Sequence, residues 1–257
     1  MVIFVIPAYN EEENIENLLS NTHNVMAKEG LPHKIIVIND GSTDSTKKIV
    51  EELKNKMPVE IYSHYPNKGI GEAFRVGFHR ALEASRDGDI IITKEADNTS
   101  DLNIIKELIF QINNGYDVAL ASCYARGGCV LGTSLFRRIL SRGANTLFKL
   151  FLPSKNINTY SSFYRAYDSR ALAQLSSIYG DRLIEGDGFE CMVELLIKFG
   201  RNGKFKIAEV PMVLDGSKRV GKSKMRIMRT IKGFLKVILK EVIIYRIKNI
   251  SKNNGRE

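Results

Sequence analysis

Two acidic residues two positions apart, Glu95 and Asp97, stand in the run Thr93-Lys94-Glu95-Ala96-Asp97-Asn98-Thr99, directly after an apolar stretch. On extended backbone, residues i and i+2 point the same way, so these two carboxylates converge on one spot. Such a pair, completed by substrate phosphates, is a donor set for Mg²⁺ or Mn²⁺. An ion held there neutralises charge growing on a departing diphosphate. The same acids also suit the positive end of a following helix, and the spacing alone leaves both readings open.

Other polar clusters share this setting. Pro7-Ala8-Tyr9-Asn10-Glu11-Glu12 and Asn39-Asp40-Gly41-Ser42-Thr43-Asp44 each follow an apolar run. Asp40 can accept hydrogen bonds from a base N–H or a ribose hydroxyl, and Tyr9 can stack on a base. Plain turn and helix-cap chemistry accounts for the same residues. Asn67-Lys68-Gly69-Ile70-Gly71-Glu72-Ala73 contains G-x-G, but Phe74 breaks the dinucleotide pattern G-x-G-x-x-G. Gly77, further along the same helix, allows close packing on a sheet. Gly216 to Ser223 matches the P-loop pattern G-x-x-x-x-G-K-S, yet only 34 residues follow, too few for the further strands of that fold. A basic loop closing over phosphates fits better, with Arg219 binding in bidentate fashion and Lys224 as a point charge. In the 185–190 stretch, Asp187 and Glu190 are carboxylates able to take a proton, or to cap a helix.

The elements that must position these groups alternate. Val2–Ile6, Lys34–Asn39, Val59–Ser63, Asp89–Thr93 and Asp117–Ala121 read as strands. Glu11–Lys28, Thr43–Lys56, Gly71–Ser85 and Asp101–Asn113 read as helices between them. The pattern predicts an α/β fold, with a mainly parallel sheet flanked by helices and ligands beyond the carboxyl ends of its strands. Further on, Leu135–Leu152 and Glu185–Phe199 read as helices, and Ile207–Leu214 as a strand interrupted by Pro211. Met225–Lys248 is amphipathic, with Lys232, Lys236 and Lys240 four apart. It suits packing on the body or lying in a membrane interface.

Composition narrows the classes. The chain has 257 residues, enough for one large α/β domain, and no run long and apolar enough to span a bilayer. The apolar start, Met1 to Pro7, reads as a buried strand and not as a signal peptide. Three dispersed cysteines and four unclustered histidines point to reduced thiols in the cytosol, and away from a zinc site. Of the net charge of +9, residues 201–257 hold 16 Lys/Arg against 4 Asp/Glu, a net +12, which leaves −3 for the rest. A basic tail on an acidic body suits an anionic partner. The absence of any recognised nucleic-acid module argues against nucleic acid.

Taken together, the motifs resemble family-2 glycosyltransferases of the dolichyl (polyprenyl) phosphate mannose synthase-like branch. Pro7–Glu11 matches P-x-Y-N-E, Asp40–Asp44 matches D-G-S-x-D, Asn67–Ala73 matches N-x-G-x-G-x-A, and Glu95–Asp97 stands for D-x-D. Ser122–Gly128, Arg137–Asn145, Ser162–Tyr167, Ala208–Pro211 and Gly221–Lys224 resemble later family motifs in the same order. Three positions depart from the pattern: Glu95 replaces the first Asp of D-x-D, Thr99 replaces Gln, and Cys123 replaces an Arg.

The resemblance implies a GT-A fold over residues 1–215, followed by a basic phosphate-binding loop and amphipathic helix over 216–257. It implies inverting transfer of a mannose- or glucose-like sugar from a nucleotide-diphosphate sugar to a polyprenyl or dolichyl phosphate. Pro7, Tyr9, Glu11, Ile38 and Asp40 would hold the nucleoside. Glu95, Ala96 and Asp97 would hold the diphosphate and Mg²⁺ or Mn²⁺, with Thr99 as a further ligand. Arg137, Arg219 and Lys224 would bind phosphates. Asp187 or Glu190 would serve as base if the acceptor were a glycan hydroxyl, as in polysaccharide or cell-envelope synthesis. The implied setting is peripheral, on the cytosolic face of an anionic membrane, where a membrane-protein partner can also dock.

Overall fold

The computed structural model describes residues 1–151, 157–201, 204–221 and 227–240. In its first half, strands β1 (Val2–Ala8), β2 (His33–Asp40), β3 (Val59–His64), β4 (Ile90–Thr93) and β5 (Val118–Ser122) alternate with helices. These are α1 (Ile15–Lys28), α2 (Thr46–Leu53), α3 (Ile70–Ala84) and α4 (Ile105–Asn113). Then follow β6 (Cys129–Leu131), α5 (Leu135–Phe151), β7 (Arg165–Asp168), α6 (Ser169–Tyr179), α7 (Cys191–Arg201), β8 (Ile207–Pro211), β9 (Val213–Asp215) and α8 (Ile227–Val237).

Seven strands form one sheet in the order β3-β2-β1-β4-β7-β5-β8, and β6 pairs with β9 in a small second sheet. All pairings in the large sheet are parallel except those of β7, which runs antiparallel to both β4 and β5. Residues along β1 alternate between two cores. Ile3 and Val5 join Phe74 and Phe78 of α3 and Leu195 of α7, whereas Val2, Phe4 and Ile6 join Leu18 of α1 and Leu108 of α4. A sheet covered on both faces requires strands apolar at every position, and all seven residues of β1 are buried.

Gly77 explains how closely α3 rides on this sheet: a Cβ there would lie 2.4 Å from Val5 Cγ1 and 3.3 Å from Ile38 Cγ1. The stretch 207–214 is two strands, with Pro211 ending β8, because a proline cannot donate to the ladder. The described part of 216–257 rests on the body. Phe234 of α8 meets Phe148 of α5 edge-on at 5.1 Å, and Lys240 pairs with Glu185 at 2.6 Å. No helix among the described residues is long and apolar enough to cross a membrane.

Candidate active site

Register places the polar loops at one edge. Pro7 and Ala8 stand opposite Ile38 and Asn39, and Asn39 and Asp40 opposite Ser63 and His64, so three strands end together. The first two loops are zipped to each other. Asn10, at a left-handed φ of 53°, accepts from the Thr43 N–H at 2.8 Å, and its own N–H donates to Ser42 Oγ at 2.9 Å. This arrangement leaves the Tyr9 ring exposed at the rim.

Asp40 is buried and already engaged. Its carboxylate accepts from the Lys68 and Gly69 N–H groups at 2.7 and 3.0 Å, and its Oδ1 lies 2.6 Å from His64 Nε2. It therefore holds the 64–69 loop against the carboxyl end of β2. Gly69 and Gly71 continue that loop against the 186–187 backbone. A Cβ on Gly71 would lie 1.9 Å from the Gly186 carbonyl oxygen.

The acidic pair lies on a bend, not on extended backbone, because β4 stops at Thr93 and Asn98 takes a left-handed φ of 59°. Asp97 nonetheless meets Arg219, whose positive charge also acts on Glu95. One Asp97 oxygen pairs with the Arg219 guanidinium, while the other accepts from the Thr99 N–H at 3.1 Å and from Thr99 Oγ1 at 2.7 Å. Thr99 is buried behind Asp97 and steadies it, which differs from the expected role as a third ligand. Burial raises the Glu95 carboxyl pKa, with the Lys94 and Arg219 cations opposing that rise. Lys94 is buried, donates to the Ser100 carbonyl at 3.2 Å and stands 4.6 Å over the Tyr164 ring. Burial pulls its ammonium down to about 8, against the attraction of Glu95 and Asp101.

These oxygens fit a divalent ion in chemistry: they are hard donors whose charge is met here by a guanidinium. No group of three His, Cys, Asp or Glu side chains able to hold a metal occurs among the described residues. Phosphate oxygens would have to complete the coordination.

The remaining expected residues separate. Ile38 is wholly buried in the core beneath α3, so its side chain does not reach the cleft, a correction to its expected donor contact. Ala96 is also buried, in the opposite core. Glu190 turns into its own loop, accepting from the Gly188 N–H at 3.1 Å, and lies against Gly233 of α8. This leaves it poorly placed as a base. Asp187 is exposed and pairs with Arg75 at 2.9 Å. Arg137 is half-buried in the first turn of α5. Lys224 lies outside the described residues.

Several contributors escape a reading of motifs. Buried Glu194 accepts from the Glu185 and Gly186 N–H groups at 3.0 and 2.9 Å, and pairs with Lys198 at 2.5 Å, thereby fixing the 185–190 loop. The i, i+4 spacing of Glu194 and Lys198 was the available signal. Asn14 joins three loops, and its only sequence signal is that of an ordinary helix cap.

A family profile described as Glycosyl transferase family 2 matches residues 3–176, more than half of the chain. The chain belongs to glycosyl transferase family 2. It is 33% identical over 229 residues to the dolichol-phosphate mannosyltransferase of Pyrococcus furiosus, covering 88% of this chain and 59% of that relative. It is 28% identical over 225 residues to the polyprenol monophosphomannose synthase of Mycolicibacterium smegmatis, covering 87% of this chain and 80% of that one. The chain thus spans less than two thirds of the archaeal relative. Among solved structures, the glucosyl-3-phosphoglycerate synthase of Mycobacterium tuberculosis superposes with a TM-score of 0.64 at 21% identity, covering 93% of this chain and 78% of that one. The mannosyl-3-phosphoglycerate synthase of Rubrobacter xylanophilus gives 0.66 at 16%, covering 98% and 75%. These likenesses establish the GT-A fold. The mycobacterial synthase has been crystallised with UDP and Mg²⁺, and also with UDP and Mn²⁺.

Proposed function

We propose that this glycosyltransferase moves a sugar from a nucleotide-diphosphate donor onto a polyprenyl phosphate, working from the cytosolic face of a membrane. The observation that carries the reading is the pairing of Asp97 with Arg219 at the carboxyl edge of the sheet, two residues from Glu95. The names of the two curated relatives supply the acceptor class.

In this reading Tyr9 covers the base, while Pro7, Glu11 and the loop held by Asp40 frame the nucleoside. Asp97 and Glu95 would hold Mg²⁺ or Mn²⁺ together with the donor phosphates, and the ion would supply Lewis-acid stabilisation of the departing charge. Arg219 exchanges the Asp97 carboxylate for the diphosphate when the donor enters, and Lys224 adds a second positive charge. Arg137 receives the acceptor phosphate. The acceptor oxygen attacks the anomeric carbon as the bond to the diphosphate breaks, and the nucleoside diphosphate leaves with the electron pair, inverting the centre. A phosphate monoester is ionised near neutrality, its second pKa being about 6, so no general base is required. Residues 1–215 form the catalytic body, and 216–257 the phosphate-binding loop and membrane-facing helix.

Transfer to a glycan hydroxyl is the second reading, favoured by Asp187, an exposed carboxylate beside Gly69 and Gly71. A screen of UDP-, GDP- and dTDP-sugars with Mn²⁺, offered detergent-solubilised polyprenyl phosphate or free saccharides, separates the two. Product on the lipid that survives Asp187→Asn supports the first reading. Product on saccharide alone overturns it.

A further inference from the structure

Asn14 occupies the N-cap position of α1 but does not cap it: its side chain makes no hydrogen bond to the helix backbone. An asparagine there ordinarily accepts from the second or third helical N–H. Here the amide is turned out of the helix, and both of its N–H donors and its carbonyl oxygen are engaged elsewhere. Nδ2 donates to Glu11 Oε2 at 2.8 Å and to the Val220 carbonyl at 3.1 Å, while Oδ1 accepts from the Val220 N–H at 3.3 Å. A primary amide reading both the N–H and the C=O of one residue mimics a strand partner. That residue directly follows Arg219. The Asn14 carbonyl meanwhile accepts from Asn98 Nδ2 at 3.0 Å, one residue beyond Asp97. Asn14 is only 2% exposed, so water competes little for these bonds.

We infer that Asn14 is a positioning residue for sugar transfer: it clasps the 216–221 segment shut and sets Arg219 against the Asp97 loop. The inference rests on the reading that this segment covers the donor diphosphate. Glu11, Asn14, Asn98 and Val220 then form one connected brace between the first loop, the acidic loop and the cover. An amide offers a donor and an acceptor in one plane, as the Val220 carbonyl and N–H require, whereas Asp lacks the donor and Ser has a single oxygen. A role confined to starting α1 would need no such pairing.

The test is limited trypsinolysis of the full chain, with cutting at the Arg219–Val220 bond followed by mass spectrometry. Asn14→Ser keeps a residue type suited to a helix start but loses the clasp. We expect it to retain its melting temperature while the bond is cut about tenfold faster, the effect of losing roughly one to two net hydrogen bonds. Asn14→Asp keeps shape and acceptor without the donor, and serves should the serine variant fold poorly; faster cutting is expected there too. With UDP or GDP and Mn²⁺, wild-type cutting slows and the variants need more nucleotide for equal protection. In turnover, donor KM rises in the variants, which a smaller folded fraction alone would not produce. A folded variant cut at the wild-type rate overturns the inference. Because proteolysis needs no turnover, failure of the wild type to transfer sugar would remove the functional reading and leave the clasp standing.

Discussion

Asp97 is held from behind by Thr99 and from the front by Arg219, so its carboxylate is fixed before any donor arrives. Asp97→Asn keeps that shape and removes the charge. We expect donor hydrolysis to fall about 100-fold or more, as when one preorganised transition-state contact is lost, with the melting temperature nearly unchanged. Activity within threefold of wild type would sink the role given to Asp97. Cys123 offers a second residue-level test. Burial pushes its thiol up to about 11. A free thiol is half ionised near pH 8.5, so Cys123 should alkylate roughly a hundredfold more slowly there and accelerate as pH climbs toward 11. Peptide mapping after iodoacetamide treatment reads this directly; alkylation at the rate of free cysteine would mean an open thiol.

At the scale of elements, Gly77 carries a clear expectation. Alanine gains about 1 kcal/mol in helix propensity over glycine, but its methyl would enter the space of Val5 Cγ1 in a core without room. Overpacking costs about 1–3 kcal/mol, so Gly77→Ala should lower the urea midpoint. A raised midpoint would mean that α3 can slide. This contact is legible in the sequence, as are the five leading strands, because doubly covered strands are apolar throughout and glycine in a helix requires a reason. The antiparallel strand β7 is hidden for the opposite cause. Its first residue, Arg165, looks like a surface charge, yet it is fully buried and donates to the carbonyls of Ser162, Met192 and Tyr160 at 2.7, 2.7 and 2.8 Å. Backbone acceptors, two from the turn just before the strand and one from α7, leave no mark on local periodicity. Helix α6 does carry a readable start, since Asp168 accepts from the Arg170 and Ala171 N–H groups. The site divides in the same way. Glu95 and Asp97 stand out by spacing, whereas the bend that presents them and the amide of Asn14 depend on partners up to 206 residues away.

Over the whole molecule, charge and apolar surface fall together. Leu135, Phe136 and Ile139 of α5 and Met228 and Leu235 of α8 are all more than half exposed, with Arg137, Arg138, Arg229, Lys232 and Lys236 on the same two helices. Large apolar groups left in water beside cations suit an anionic bilayer surface, where each cation near the headgroups contributes about 1 kcal/mol. We expect co-sedimentation with anionic liposomes that weakens as salt rises, and a marked loss on changing Leu135, Phe136 and Ile139 together to serine. Equal recovery in the supernatant with and without liposomes would remove the membrane from the account.

The reversed strand also bears on how the chain is made. A ribosome that has released residues 1–122 has produced five strands, and four of them already form a contiguous β3-β2-β1-β4 block. The fifth has no neighbour yet, because among the described residues β5 pairs with β7 and β8, which come later in the chain. Its apolar residues must wait through some forty more before Arg165–Asp168 emerges to bridge it to the block, and the nascent protein passes that interval with one unsheltered edge on each side of the gap.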